Sequence, residues 1–302
     1  MAKKVLLLYG GFSAEREVSI SSKDDIFQAL KSKGYEVIAH DLTDPWRFIE
    51  VLHSVKPDVV YNGLYGNWGE DGEIQGLLDV LQIPYTHSAL KASAIGMDKH
   101  LCKLIAAQNG VKIADGEKKT FAEYKKNGTS INYPYVVKPV ADGSSVGVFI
   151  VKNEKDAAAV TYPSESAEIL IERYIDGREF TTMCLEGKAY AVTELVAKNE
   201  FYNYEAKYTA GMTQHILPAQ ISDEVKQTCL KYAEIMHKAL GCNTVSRCDF
   251  RYNPQDGVVL LEINTNPGMT SLSLVPEQAK LVGVSYADLC AKLVENATCR
   301  LR

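Results

Sequence analysis

Near the start of the chain the apolar positions run Val5-Leu6-Leu7-Leu8-Tyr9 and stop at Gly10-Gly11. An unbroken run of that length predicts a strand buried on both faces in a parallel sheet. A helix is predicted over residues 18–33, stopped by Gly34, with further strands at 36–40 and, after Pro57, at 59–61. Helical patterns around 74–81 and 89–107 complete an alternating α/β unit. Its loops at residues 10–15 and 63–72 follow strands, where open α/β sheets bind ligands.

The middle of the chain changes to strand periodicity at 135–139, 147–151, 169–171, 179–185 and 189–195, the last two flanking a tight turn at Glu186-Gly187-Lys188. Residues 197–214 show no period and carry three tyrosines without Pro, Ser or Gly bias, which reads as a long functional loop. A helix at 222–240 ends at Gly241, and strands at 244–252 and 258–264 are joined through Asp256-Gly257, a hairpin signal. A last helix begins near Ser285, with Asp288 as its capping-box partner.

Composition narrows the function classes. The 302 residues suggest two domains or three small ones, and 46% hydrophobic with 24% charged residues is ordinary for a protein with a real core. A net charge of −5 leaves no basic footprint for nucleic acid or an anionic membrane. Seven cysteines without a C-x-x-C pair read as reduced thiols of a cytosolic protein. The basic-then-apolar start imitates a signal peptide but is too short, and no run approaches a membrane span. A cytoplasmic globular protein is expected.

Gly143-Ser144-Ser145-Val146-Gly147 matches the G-x-S-x-G elbow of serine hydrolases. That motif needs a helix after the serine, whereas here a β-branched strand pattern follows. The competing reading is a loop whose backbone N–H groups and hydroxyls wrap phosphates, with Lys138 adding positive charge; a plain polar hairpin stays open. No Walker A or dinucleotide fingerprint occurs, and the six histidines show no ligand spacing. In the final hairpin, a two-residue turn at Asp256-Gly257 would set Asp249 across from Asn264. Glu262, Arg247 and Arg251 would then share that face. Asp, Glu and Asn on one face offer hard oxygens that suit Mg²⁺ held with phosphate; a solvated charged face is the alternative.

Together these residues resemble the D-alanine–D-alanine ligases of the ATP-grasp superfamily. The resemblance rests on Gly10-Gly11-x-Ser13-Ala14-Glu15, Gly69-Glu70-Asp71-Gly72, Met97-Asp98-Lys99, Val137-Lys138-Pro139 and Gly143 to Gly147. It continues through Tyr202 to Tyr208, Arg247-x-Asp249, Glu262-x-Asn264-Thr265-x-Pro267-Gly268 and Ser273-Leu274. It implies an N-terminal α/β domain (residues 1–95) followed by a two-lobed ATP-grasp fold (96–190 and 191–302), working as a homodimer.

The implied reaction joins two D-alanines through an acyl phosphate made from ATP, for peptidoglycan synthesis, or a related ligation onto D-serine, D-lactate or another acceptor. By the resemblance, Lys99, Lys138, Ser144, Ser145 and Lys207 would serve the phosphates, Glu172, Arg173, Tyr174 and Ile175 the adenine, and Glu179 the ribose. Two Mg²⁺ ions, or Mn²⁺ in their place, would take Asp249, Glu262 and Asn264. Glu15 would anchor the first ammonium group, Arg247 and Gly268 the oxyanion, and Ser273 and Leu274 the second carboxylate. Glu15, Ser144 and Tyr208 would tie down a lid. Tyr65 stands near the second substrate where the family usually has histidine; a phenol is a poor proton acceptor at neutral pH.

Overall fold

The computed structural model describes residues 2–143, 146–197, 213–270 and 273–300. Ser144, Ser145, Lys207 and Tyr208 therefore lie outside the described residues, as does most of the loop expected at 197–214.

The N-terminal unit contains β1 (Lys4–Tyr9), α1 (Arg16–Ser32), β2 (Glu36–Asp41), α2 (Pro45–Val55), β3 (Val59–Asn62) and α3 (Glu73–Val80). Its strands form a parallel sheet in the order β2-β1-β3. Val5, Leu6, Leu7 and Leu8 are fully buried, as a strand covered on both faces requires. Helix α2 was not anticipated; Asp44 accepts hydrogen bonds from the N–H groups of Trp46 and Arg47, and Pro45 fills the first turn.

The single helix expected at 89–107 is two, α4 (Leu90–Met97) and α5 (Lys99–Gln108). Asp98 divides them by accepting a hydrogen bond from Leu101 N–H at 2.8 Å, which caps α5 and places Lys99 at its first position.

Next come β4 (Gly116–Thr120), α6 (Phe121–Asn127), β5 (Tyr135–Pro139), β6 (Phe149–Val151), α7 (Glu154–Ala159) and β7 (Glu168–Arg173). They build an antiparallel sheet ordered β4-β7-β5-β6. The segment from β5 to β6 is strand–loop–strand, so the helix a serine-hydrolase elbow requires does not follow it.

The remaining strands are β8 (Arg178–Leu185), β9 (Lys188–Ala189), β10 (Thr193–Ala197), β11 (Thr213–Ile216), β12 (Val245–Asn253) and β13 (Gly257–Asn264). They form one sheet ordered β11-β10-β8-β12-β13, with β9 paired to β8 through the expected turn at Glu186-Gly187. Helix α8 (Asp223–Leu240), capped by Ser222 and ended by a left-handed Gly241, covers it. Helices α9 (Leu274–Leu281) and α10 (Tyr286–Glu295) follow.

Because β8 pairs with β12, the expected division at 190/191 cuts through a sheet. We propose that the two lobes of the grasp divide between β7 and β8 instead. The C-terminal helix returns to the first unit: Leu289 and Leu293 share one core with Val5, Leu7, Ile26 and Leu30. Among the described residues, no helix is long and apolar enough to cross a membrane.

Candidate active site

The β12–β13 hairpin carries the densest chemistry, and its register differs from the expected one. Asn253 pairs with Gly257, so the loop has an odd number of residues and one more inversion of faces is needed. It comes from a β-bulge at Leu260–Leu261, beyond which Asp249 faces Glu262 and Arg247 faces Asn264. Asp249 is therefore opposite Glu262 rather than Asn264, yet all four residues share one face. The opposite face confirms the count: Cys248, Phe250, Val258, Leu260 and Ile263 lie in a common core, skipping from 260 to 263 across the bulge.

Above that face lies a cavity of about 490 Å³. Glu15 and Tyr65 reach it from the N-terminal loops, and Lys99 from the start of α5. Arg247, Asp249, Glu262 and Asn264 form its floor, while Gly268, Ser273 and Leu274 close the far side. A second cavity of about 110 Å³ opens between the two antiparallel sheets, lined by Lys138, Glu172, Arg173, Tyr174, Ile175 and Glu179. Lys99, Asp142, Gly143, Asp249 and Glu262 line both, so the cavities meet at one cation, three acidic residues and the glycine that starts the loop before Ser144.

Each group there is held. Arg247 makes a bidentate pair with Asp249, Nε to Oδ1 at 2.9 Å and Nη2 to Oδ2 at 2.8 Å, and Thr181 donates to the same Oδ1 at 2.6 Å. Lys99 Nζ donates to the carbonyl of Asp142 and sits 3.6 Å from Glu262. Glu15 lies where two backbones approach closely: a Cβ on Gly66 would come within 2.7 Å of its Oε2, and one on Gly143 within 3.1 Å. Glycine at both positions lets the loop before Ser144 lie against the N-terminal unit.

Two carboxylates and one amide fit a hard divalent cation whose remaining ligands are phosphate oxygens. Among the described residues no cluster of three or more His, Cys, Asp or Glu side chains could hold a metal unaided.

Tyr65 is used within the protein. Its hydroxyl accepts from Met269 N–H at 3.0 Å and donates to Ser22 at 3.2 Å. Tyr286 donates to the Met269 carbonyl at 2.7 Å, so Met269, next to Gly268, is held at both its N–H and its carbonyl. Burial, only partly offset by these hydrogen bonds, pushes the phenol up to about 12.

Two residues escaped the sequence reading of the site. Glu70 lines the larger cavity, and its carboxyl is raised well above the usual range by burial first and by neighbouring Glu15 second. Lys103, one turn beyond Lys99, is buried and lies 2.5 Å from Glu172. The i,i+4 spacing of the two lysines was the available signal.

A family model described as "D-ala D-ala ligase C-terminus" matches residues 105–295. The chain belongs to the D-alanine–D-alanine ligase family. A relative from Ruegeria sp. (strain TM1040), named D-alanine–D-alanine ligase, is 44% identical over 98% of this chain and 96% of its own length. The D-alanine–D-alanine ligase of Bacillus anthracis, solved in complex with ATP, superposes with a TM-score of 0.82 at 31% identity, covering 98% of this chain and 97% of that one. The VanG D-Ala:D-Ser ligase of Enterococcus faecalis gives 0.80 at 25% identity, covering 98% and 99%. The fold is accordingly an N-terminal α/β domain joined to an ATP-grasp.

Proposed function

We infer that the chain joins two D-alanine molecules into D-alanyl-D-alanine, converting ATP to ADP and phosphate, and so supplies peptidoglycan synthesis. The observation that carries this reading is the meeting of the two cavities at Lys99, Asp249 and Glu262. The nucleotide enters from one side and the amino acids from the other.

A carboxylate does not accept an amine at neutral pH, because its oxygen is too poor a leaving group. The carboxylate of the first D-alanine therefore attacks the γ-phosphorus of ATP, giving an acyl phosphate and ADP. The amine of the second attacks the acyl carbon, and phosphate departs with the oxygen it took from the carboxylate. Positioning and charge neutralisation dominate such a phosphoryl transfer. Lys99 and Lys138 serve the phosphates, residues Glu172 to Ile175 the adenine and Glu179 the ribose. Asp249, Glu262 and Asn264 would hold Mg²⁺, which neutralises the transferring phosphate when bound.

Glu15 takes the first ammonium group, and Arg247 with the Gly268 N–H the developing oxyanion. Ser273 and Leu274, at the start of α9, receive the second carboxylate. The resemblance also assigns Ser144, Ser145, Lys207 and Tyr208 to the nucleotide and lid, and all four lie outside the described residues. We assign Tyr65 the task of positioning the Gly268–Met269 peptide rather than exchanging protons. The enzyme works in the cytoplasm; that it does so as a homodimer is supported by exposed apolar Val80 and Leu81 at the end of α3 and Leu90 at the start of α4.

Purified protein with ATP and Mg²⁺ should release phosphate on addition of D-alanine, and mixed incubations of D-alanine with D-serine or D-lactate should still give D-alanyl-D-alanine as the main product by mass spectrometry. Phosphate release indifferent to D-amino acids would remove the reading.

A further inference from the structure

The Glu172 carboxylate, 3% exposed, is gripped by two lysines. Lys138 Nζ donates to Oε1 at 2.5 Å, and Lys103 Nζ lies 2.5 Å from Oε2. One lysine lines the nucleotide cavity; the other lies behind it on α5, where it also donates to the Leu260 carbonyl at 3.4 Å. Oε2 faces Lys103 as an ion pair without an aligned hydrogen-bond donor. The trio thus carries one cation more than the carboxylate needs, in a place where surplus charge is costly to bury.

We propose that Lys103 is a positioning and specificity residue for the nucleotide, a resident counterion that keeps Glu172 a pure acceptor while Lys138 turns to the phosphates. The proposal rests on the placement of adenine against Glu172 in the reading above. Without Lys103, moving Lys138 away would strand a buried carboxylate, so Lys138 would stay paired and phosphate binding would suffer. A stranded carboxylate can instead take up a proton and become a donor. An ionised Glu172 accepts from the 6-amino group of adenine and repels a 6-oxo group; a protonated one tolerates both. Burial alone would raise the Glu172 carboxyl, but Lys103 and Lys138 outweigh it and bring it down to about 2.

The test compares wild type with Lys103→Met and Lys103→Arg. Calorimetry gives the Kd for Mg·ATP without amino acids, and turnover gives kcat/KM with ATP and with inosine triphosphate. Lys103→Met should weaken ATP binding about tenfold or more and erode the preference for ATP over the 6-oxo nucleotide, while Lys103→Arg keeps most of both. A folded Lys103→Met protein with unchanged ATP affinity and unchanged nucleotide preference overturns the proposal. Should that variant not fold, the double variant Lys103→Met/Glu172→Gln carries no stranded carboxylate and frees Lys138. It should bind ATP with its preference over the 6-oxo nucleotide lost, and an intact preference there would equally overturn the idea. Because nucleotide binding is read without D-alanine, a failure of D-alanine-dependent turnover counts against the ligase reading alone.

Discussion

Glu172 and Glu70 face the two halves of one crevice, and their surroundings drive their charge in opposite directions. Glu172 stands between two ammonium groups in the nucleotide cavity, and its carboxyl is brought down to about 2. Glu70 stands in the amino-acid cavity near Glu15 and Glu262, and its carboxyl is held well up. Burial pushes both the same way; the neighbours decide the outcome. The cation surplus is local to Glu172, where Lys103 and Lys138 face a single carboxylate; on the proposed reading that surplus serves a polyanion. The larger cavity carries more carboxylates than cations, with Lys99 and Arg247 as its cations; on the proposed reading Glu15 among those carboxylates receives an ammonium group.

The largest expected effect falls where the two halves meet. Glu262→Gln should lower kcat/KM by about 10²–10³-fold, through lost divalent-cation binding, with steady-state kinetics against Mg²⁺ concentration as the check. Near-normal turnover would detach Glu262 from the metal.

Next is the stability contrast between the two glutamates. Glu172→Gln leaves two buried lysines without a counter-charge and should cost about 3–5 kcal/mol in denaturant unfolding. Glu70→Gln replaces a carboxyl whose neutral form is favoured by burial and by Glu15 with a neutral amide, and should change stability at pH 4 by less than about 1 kcal/mol. Equal losses would erase the distinction between the two halves.

The pH dependence carries the same contrast in its sign. The folded Glu172 carboxyl lies below its unfolded value of 4.5, so its stabilisation is full above that pH and drains away as pH falls toward about 2. Glu70 lies above 4.5 when folded, so its contribution is full below that pH and is lost as pH rises through the elevated value. Unfolding curves of the two Gln variants, subtracted from wild type across pH, should slope in opposite senses.

The smallest effect is Tyr65→Phe, which removes the acceptor for Met269 N–H and should lower kcat by about three- to tenfold. The pH profile should keep its shape, since a phenol held up to about 12 exchanges no proton in the working range. A lost basic or acidic limb would return Tyr65 to proton transfer.

Much of this crevice was legible in the residues, and the gaps have physical causes. The Asp-Gly turn and the alternation after it put Arg247, Asp249, Glu262 and Asn264 on one face. The pairing partner was wrong because a three-residue loop and a bulge each invert the faces, and two inversions cancel. The break at Asp98 hid inside a continuous helical pattern, since Asp98 caps α5 directly after α4 ends. Helix α2 carried a readable Asp-Pro start that was passed over. The grip of Lys103 on Glu172 joins α5 to β7 across 69 positions, and no local pattern announces a long-range ion pair. Glu70 was within a quoted motif, but its elevated carboxyl depends on Glu15 and Glu262, which only the fold brings near.

The claim that nucleotide and amino acid meet at the shared wall is most directly tested with D-alanine labelled by ¹⁸O in both carboxylate oxygens. Attack by that carboxylate on the γ-phosphorus, followed by amine attack at the acyl carbon, must transfer one labelled oxygen to each phosphate released with dipeptide. Mass spectrometry of the phosphate should show a single ¹⁸O per turnover. Unlabelled phosphate, or label appearing in AMP, would contradict the account.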